Sequence, residues 1–210
     1  VTKAATPAQT AALIVKTDRA FRPLVRLVGP PPRRRAAPSD QRFAALVRSI
    51  TFQLLATNAA NTIHQRVVAA CGGEVTVERV IGVGPDPLRS AGLSNAKARA
   101  MVELAEGVAG DRVSLTRHGR MSDREVIEDV SSIRGIGPWT AQMYLMFTLA
   151  RQDVWPAGDY GVRSGWTIVH GMDEIVSEED LRIAGEGFPG VRSALAWYCW
   201  RAADLAKQSR

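Results

Sequence analysis

No stretch of this 210-residue chain approaches the roughly 18 consecutive apolar residues that a membrane-spanning helix requires, which argues against a membrane protein. Nor do the scattered basic residues near the start lead into the apolar core and small-residue cleavage site of a secretory signal, so a cytoplasmic setting is expected. Cysteine is nearly missing. Cys71 and Cys199 fit no metal-ligand spacing, and reduced thiols are expected of them rather than a disulfide framework. The three histidines, His64, His118 and His170, are scattered with no ligand spacing. Strand-like alternation is scarce and no repeat appears. What is present is enough apolar material, 46% of the residues, to bury a core in one domain or two small ones.

Charge is unevenly placed. Residues 1–50 hold ten Lys/Arg against Asp18 and Asp40, a local excess of +8 beside +6 for the whole chain. Such a bias favours polyanionic partners through counterion release. Part of it is the run Arg33-Arg34-Arg35 after Pro30-Pro31-Pro32, which reads either as a nucleic-acid contact or as a solvated arm.

The patterning is helical nearly throughout. Phe21–Val28 is periodic and ends at Gly29. Ser39 or Asp40 looks like an N-cap for a helix carrying Phe43, Leu46, Val47, Ile50 and Leu54. Thr57 or Asn58 starts a second, ending at Gly72-Gly73. Residues 82–87 read as loop, and Ser94 caps the next helix. Ser122-Asp-Arg-Glu125 is a capping box, and Pro138 suits the first turn of a helix running to about Ala150. Short helices are predicted from Asp159 and Ser177, and a last one from near Gly190. The predicted fold class is all-α.

The chemistry concentrates between Ile133 and Asp159. Gly135-Ile136-Gly137 forms a tight turn between two predicted helices, with both glycines suited to positive φ. Such a turn offers backbone N–H groups, and Pro138–Ala141 adds the positive end of a helix dipole. That combination binds phosphate without reading sequence. Asp159 follows Trp155-Pro156-Ala157-Gly158, one helix beyond the hairpin, and offers a single candidate catalytic carboxylate. Asp159 also reads as a helix N-cap, and Asp153 is its nearest rival as the reactive acid.

This segment resembles the helix-hairpin-helix DNA glycosylase superfamily, whose hairpin is followed by a Gly/Pro-rich loop and an essential aspartate. Three stretches resemble its DNA-3-methyladenine glycosylase II family: Phe43–Leu54, with a Gln-containing lesion loop; Gly92-Leu93-Ser94-x-x-Lys97-Ala98; and Arg192–Trp200 as a closing helix. The likeness spans about residues 20 to 205 in the expected order.

The resemblance implies a two-lobed helix-hairpin-helix fold with the active-site cleft between lobes. Residues 1–56 and 156–210 would form one lobe, and 57–155 the other, carrying the hairpin. It maps the catalytic aspartate onto Asp159, the base pocket onto Gln53, Trp139, Met143, Tyr160 and Trp200, and the DNA wedge onto Leu54 or Leu55. It assigns phosphate binding to Gly135, Ile136, Gly137 and Thr140. No cofactor is required, and the absence of a four-cysteine cluster argues against an iron–sulfur branch. A structural Na+ or K+ would sit on the backbone carbonyls of Ser131, Ile133 and Gly135.

Trp139 stands where bifunctional members carry a Schiff-base lysine, which implies hydrolysis without strand cleavage. The expected enzyme is a monomer that flips alkylated purines from double-stranded DNA and hydrolyses their glycosidic bond. The lesion loop departs from the family in reading Gln53-Leu54-Leu55-Ala56, and Gly161 replaces a bulkier residue, so a wider pocket is expected. Two rivals remain: a noncatalytic DNA-binding module, and a glycosylase for deaminated or mismatched bases.

Overall fold

The computed structural model describes residues 5–55 and 57–208, so Ala56 of the lesion loop lies outside the described residues. Among them are twelve α-helices and no strand. In chain order these are α1 (Pro7–Thr17), α2 (Arg22–Val28), α3 (Arg42–Phe52), α4 (Thr57–Ala70), α5 (Val77–Val83) and α6 (Pro85–Ser90). There follow α7 (Asn95–Ala109), α8 (Asp123–Ser131), α9 (Pro138–Phe147), α10 (Tyr160–His170), α11 (Glu178–Ala184) and α12 (Arg192–Gln208). None of the described helices is long and apolar enough to cross a membrane.

Most starts follow from local hydrogen bonds. Ser94, Ser122, Asp159 and Ser177 each accept a backbone N–H from the first turn of α7, α8, α10 and α11. At α8 the box closes reciprocally, with Glu125 accepting from the Ser122 N–H at 2.7 Å. Two expectations need correction, and one helix was not foreseen. Ser39 and Asp40 lie in a 3-10 turn, and α3 begins at Arg42 with no side-chain cap. The stretch 82–87 is not a loop, because Gly82 continues α5 and only Gly84, at φ +70°, separates it from α6. Helix α1 went unpredicted although Thr6 and Gln9 form a capping box around Pro7.

The chain divides into two compact units, Val1–Arg34 with Arg151–Arg210, and Arg35–Ala150. The sequence had placed residues 35–56 with the termini. They group instead with the middle of the chain because α3 packs on α4, α7 and α9. Leu46, Val47 and Ile50 of α3 and Met101, Leu104, Tyr144 and Leu145 are all buried in this unit. A buried network also sits there: His118 lies 2.6 Å from the Asp129 carboxylate through Nε2 and 3.0 Å from the Tyr144 hydroxyl through Nδ1. The carboxylate can only accept, so Nε2 carries the proton and Nδ1 accepts from the phenol.

In the first unit α10 packs tightly along α12. Gly165 makes the crossing possible, since a Cβ there would stand 1.8 Å from the Cys199 carbonyl oxygen. Gly161 lies one turn earlier on the same face. His170 ties α10 to the loop at Asp18, 2.8 Å away, and Trp166 stacks on it with ring centroids 4.2 Å apart. Both cysteines are buried and free.

Candidate functional site

In the first unit, the turn from Trp155 to Asp159 is held from several sides. Trp155 Nε1 donates to the Leu181 carbonyl at 2.7 Å, and the Asp159 N–H donates to the Pro156 carbonyl at 2.9 Å. Asp159 then caps α10: its Oδ1 accepts from the Val162 N–H at 2.9 Å. The same oxygen accepts the indole N–H of Trp200 at 2.8 Å. A helix N-terminus and an indole dipole therefore both present their positive ends to one carboxylate oxygen. Burial and the neighbouring Asp159 charge push the Cys199 thiol well above its usual range, so that sulfur stays a neutral packing group.

Gly161 explains how Trp200 reaches the carboxylate. A Cβ at Gly161 would lie 2.8 Å from Trp200 Cδ1 and 3.1 Å from Asp159 Oδ1. The space opened by this glycine is filled by the indole, so the widening expected from it is corrected. Sequence reasoning missed this role, though Gly161 and Gly165 four residues apart were a readable sign of a close helix crossing. Tyr160 is 67% exposed, and Trp200 is half-buried. Asp153, the rival acid, is occupied elsewhere. It makes a two-pronged ion pair with Arg192 at 2.7 and 2.6 Å and accepts the Gly190 N–H, and Arg192 holds its carboxyl below the usual range.

The second unit carries the hairpin. Gly135 has φ +90°, and a Cβ there would press on the Ala100 side chain at 3.1 Å, so glycine is needed twice over. Gly137 differs from expectation: at φ −89° and ψ 176° it is extended and needs no special backbone freedom. It is the N-cap of α9, no side chain caps that helix, and the space where a Cβ would project is open. The uncapped first turn of α9 is the feature suited to an anion.

Ile136 and Thr140 have different duties from those expected. Ile136 is 2% exposed and its N–H is bonded to the Ile133 carbonyl at 3.0 Å, so it anchors the hairpin. Thr140 is equally buried and its hydroxyl accepts from Gln53 Nε2 at 2.7 Å, so its side chain ties the hairpin to the lesion loop. Gln53 also donates to the Gly135 carbonyl at 3.2 Å. The amide expected beside the base pocket thus links the lesion loop to the hairpin. Met143 is buried, and Trp139 is half-buried in the first turn of α9.

The two wedge candidates separate clearly. Leu54 is fully exposed, at 102%, with φ +54°, whereas Leu55 is 39% exposed. The left-handed conformation is unfavourable for leucine by about 1–2 kcal/mol, and full exposure gains nothing back in burial. Arg33–Arg35 are exposed.

Two of the hairpin carbonyls keep acceptor capacity. Those of Ile133 and Gly135 each accept one hydrogen bond, from the Ile136 N–H and from Gln53, and a carbonyl retains a second lone pair. Two residues before Ile133, the buried Ser131 hydroxyl oxygen has no hydrogen-bond partner.

Comparisons with known proteins identify the family. Residues 47–189 match the family model described as the HhH-GPD superfamily base excision DNA repair protein. DNA-3-methyladenine glycosylase 1 of Schizosaccharomyces pombe is 30% identical over 196 residues, spanning 92% of this chain and 86% of that one. Among solved structures, the S. pombe 3-methyladenine DNA glycosylase in complex with abasic DNA superposes with a TM-score of 0.87 at 30% identity, covering 94% of this chain and 97% of that one. The DNA-3-methyladenine glycosidase of Bacillus halodurans gives 0.78 at 29% identity, covering 95% and 91%. With the hairpin and the capped aspartate in the matched region, this chain belongs to the HhH-GPD superfamily of base excision DNA repair proteins.

Proposed function

We propose that this protein is a monofunctional DNA glycosylase that removes alkylated purines such as 3-methyladenine and 7-methylguanine from double-stranded DNA. The observation that carries the reading is Asp159, whose Oδ1 is fixed by the α10 cap and the Trp200 indole. As the N-glycosidic bond breaks, positive charge grows on the sugar, and a carboxylate already held in place stabilises it without reorganising. Asp159 would also orient the attacking water. With Trp139 in the hairpin position that bears lysine in strand-cleaving relatives, no amine is available there to attack the sugar.

The base would leave the stack with Leu54 entering the gap. In the unit that carries Asp159, Tyr160 and Trp200 would offer aromatic faces, as Trp139 would in the hairpin unit, and such faces attract cationic N-alkylated purines by about 0.5–2 kcal/mol. The uncapped α9 terminus with Gly135 and Gly137 would hold backbone phosphate, and a cation on the carbonyls of Ser131, Ile133 and Gly135 would add charge neutralisation there. The named relatives support the substrate class. The enzyme would act as a monomer on chromosomal DNA.

Incubation with duplex carrying 3-methyladenine or 7-methylguanine tests the reading. Free base and an intact strand with an abasic site are expected. Strand scission during the reaction, or a borohydride-trapped covalent adduct, would contradict the monofunctional assignment, and binding without base release would favour a DNA-binding module.

A further inference from the structure

The Gly92–Ala98 segment has no part in the chemistry above, yet its lysine reaches the lesion loop. Ser94 fixes the start of α7 by accepting the Lys97 N–H at 3.3 Å. From that first turn the Lys97 ammonium donates to the carbonyls of Thr51 at 3.0 Å and Gln53 at 2.5 Å. These carbonyls belong to the end of α3, where a helix leaves its last acceptors unsatisfied. Burial draws the Lys97 ammonium below the usual lysine range. The next residue is Leu54, fully exposed and left-handed.

We propose that Lys97 is the positioning residue for the DNA-inserting turn: by pinning the carbonyl end of α3 it holds Leu54 out in its strained conformation. Without that tie, an exposed left-handed leucine next to an open helix end would relax, and insertion would have to reorder it each time. Gln53 provides a second tie, through its side chain to Gly135 and Thr140. Helix α7 also meets the hairpin directly, because Ala100 fills the space beside Gly135. One helix therefore sets the spacing between the wedge and the phosphate grip.

The inference rests on the glycosylase reading for its consequence, and its physical core is tested separately. Backbone relaxation of Gln53–Leu55 should show order parameters near about 0.85 in the wild type, falling below about 0.6 in Lys97→Met, with α7 unchanged. Lys97→Arg should restore the order, since a guanidinium can also donate to two carbonyls. In base release, Lys97→Met should lose about tenfold on a fully paired duplex but less than about threefold when the lesion faces an abasic site, where opening is already easy. Unchanged order parameters would overturn the pinning whatever the activity. Equal losses on the two substrates would overturn the wedge-positioning role. Absence of base release by the wild type would refute the glycosylase reading, with the relaxation result still deciding what Lys97 holds.

Discussion

Asp159 shows how one residue does two jobs without compromise. The cap and the indole both use Oδ1, and both need only an acceptor, so the negative charge is not consumed by either bond. An asparagine would keep the acceptor and lose the charge, which separates structure from chemistry at this position. Leu54 is the opposite case, a residue whose conformation makes no structural sense. Leu54→Gly should relax the left-handed backbone and leave thermal stability equal or higher, while base release from paired duplex falls about tenfold or more. A melting curve and a single-turnover time course check both halves. A stability loss with unchanged excision would place the leucine in the fold and not in the wedge.

At the scale of elements, the α10–α12 pair carries the carboxylate, and glycine sets its geometry. Gly165→Ala would drive a Cβ into the Cys199 carbonyl, a backbone atom that cannot step aside. Overpacking of this kind costs about 1–3 kcal/mol or more, so the midpoint of thermal unfolding should drop and Trp200 should lose its bond to Asp159. A melting point and excision rate equal to wild type would contradict that packing. Elements held by short-range bonds were readable from sequence: the caps at Ser94, Ser122, Asp159 and Ser177 each involve residues within three positions. The tight turn at Gly135, closed by the Ile136 N–H on the Ile133 carbonyl, was readable for the same reason. The duties of Thr140, Gln53 and Gly161 were not, because their partners are distant in sequence and come together only by tertiary packing. Gly137 was misread because a glycine suits both a left-handed turn and an open approach to a ligand, and only its φ distinguishes them.

The whole molecule gives each half of the chemistry its own unit, with the hairpin in one and the aspartate in the other. The sequence drew the boundary after the lesion loop, since nothing local in α3 reveals that its apolar face packs on α7 and α9. Folding stability should also depend on pH through buried histidine. Burial lowers the His118 pKa despite the opposing pull of Asp129, and burial followed by Arg48 lowers that of His64. Below about pH 6.5 the unfolded chain therefore binds more protons than the folded one. This contribution is complete above that value and is lost as pH falls through the folded pKa values. Urea unfolding at about pH 7.5 and about pH 5.5 should show lower stability at the acid value, and His118→Gln should reduce the difference between them. An unchanged difference would mean that folding does not lower the His118 pKa. The central claim meets its most direct test in single-turnover release of 3-methyladenine from duplex DNA by wild type and Asp159→Asn. The wild type should release free base and leave an intact abasic strand, while the variant should bind the duplex as tightly and release base at least about a hundredfold more slowly. Equal rates for the two proteins would contradict the account.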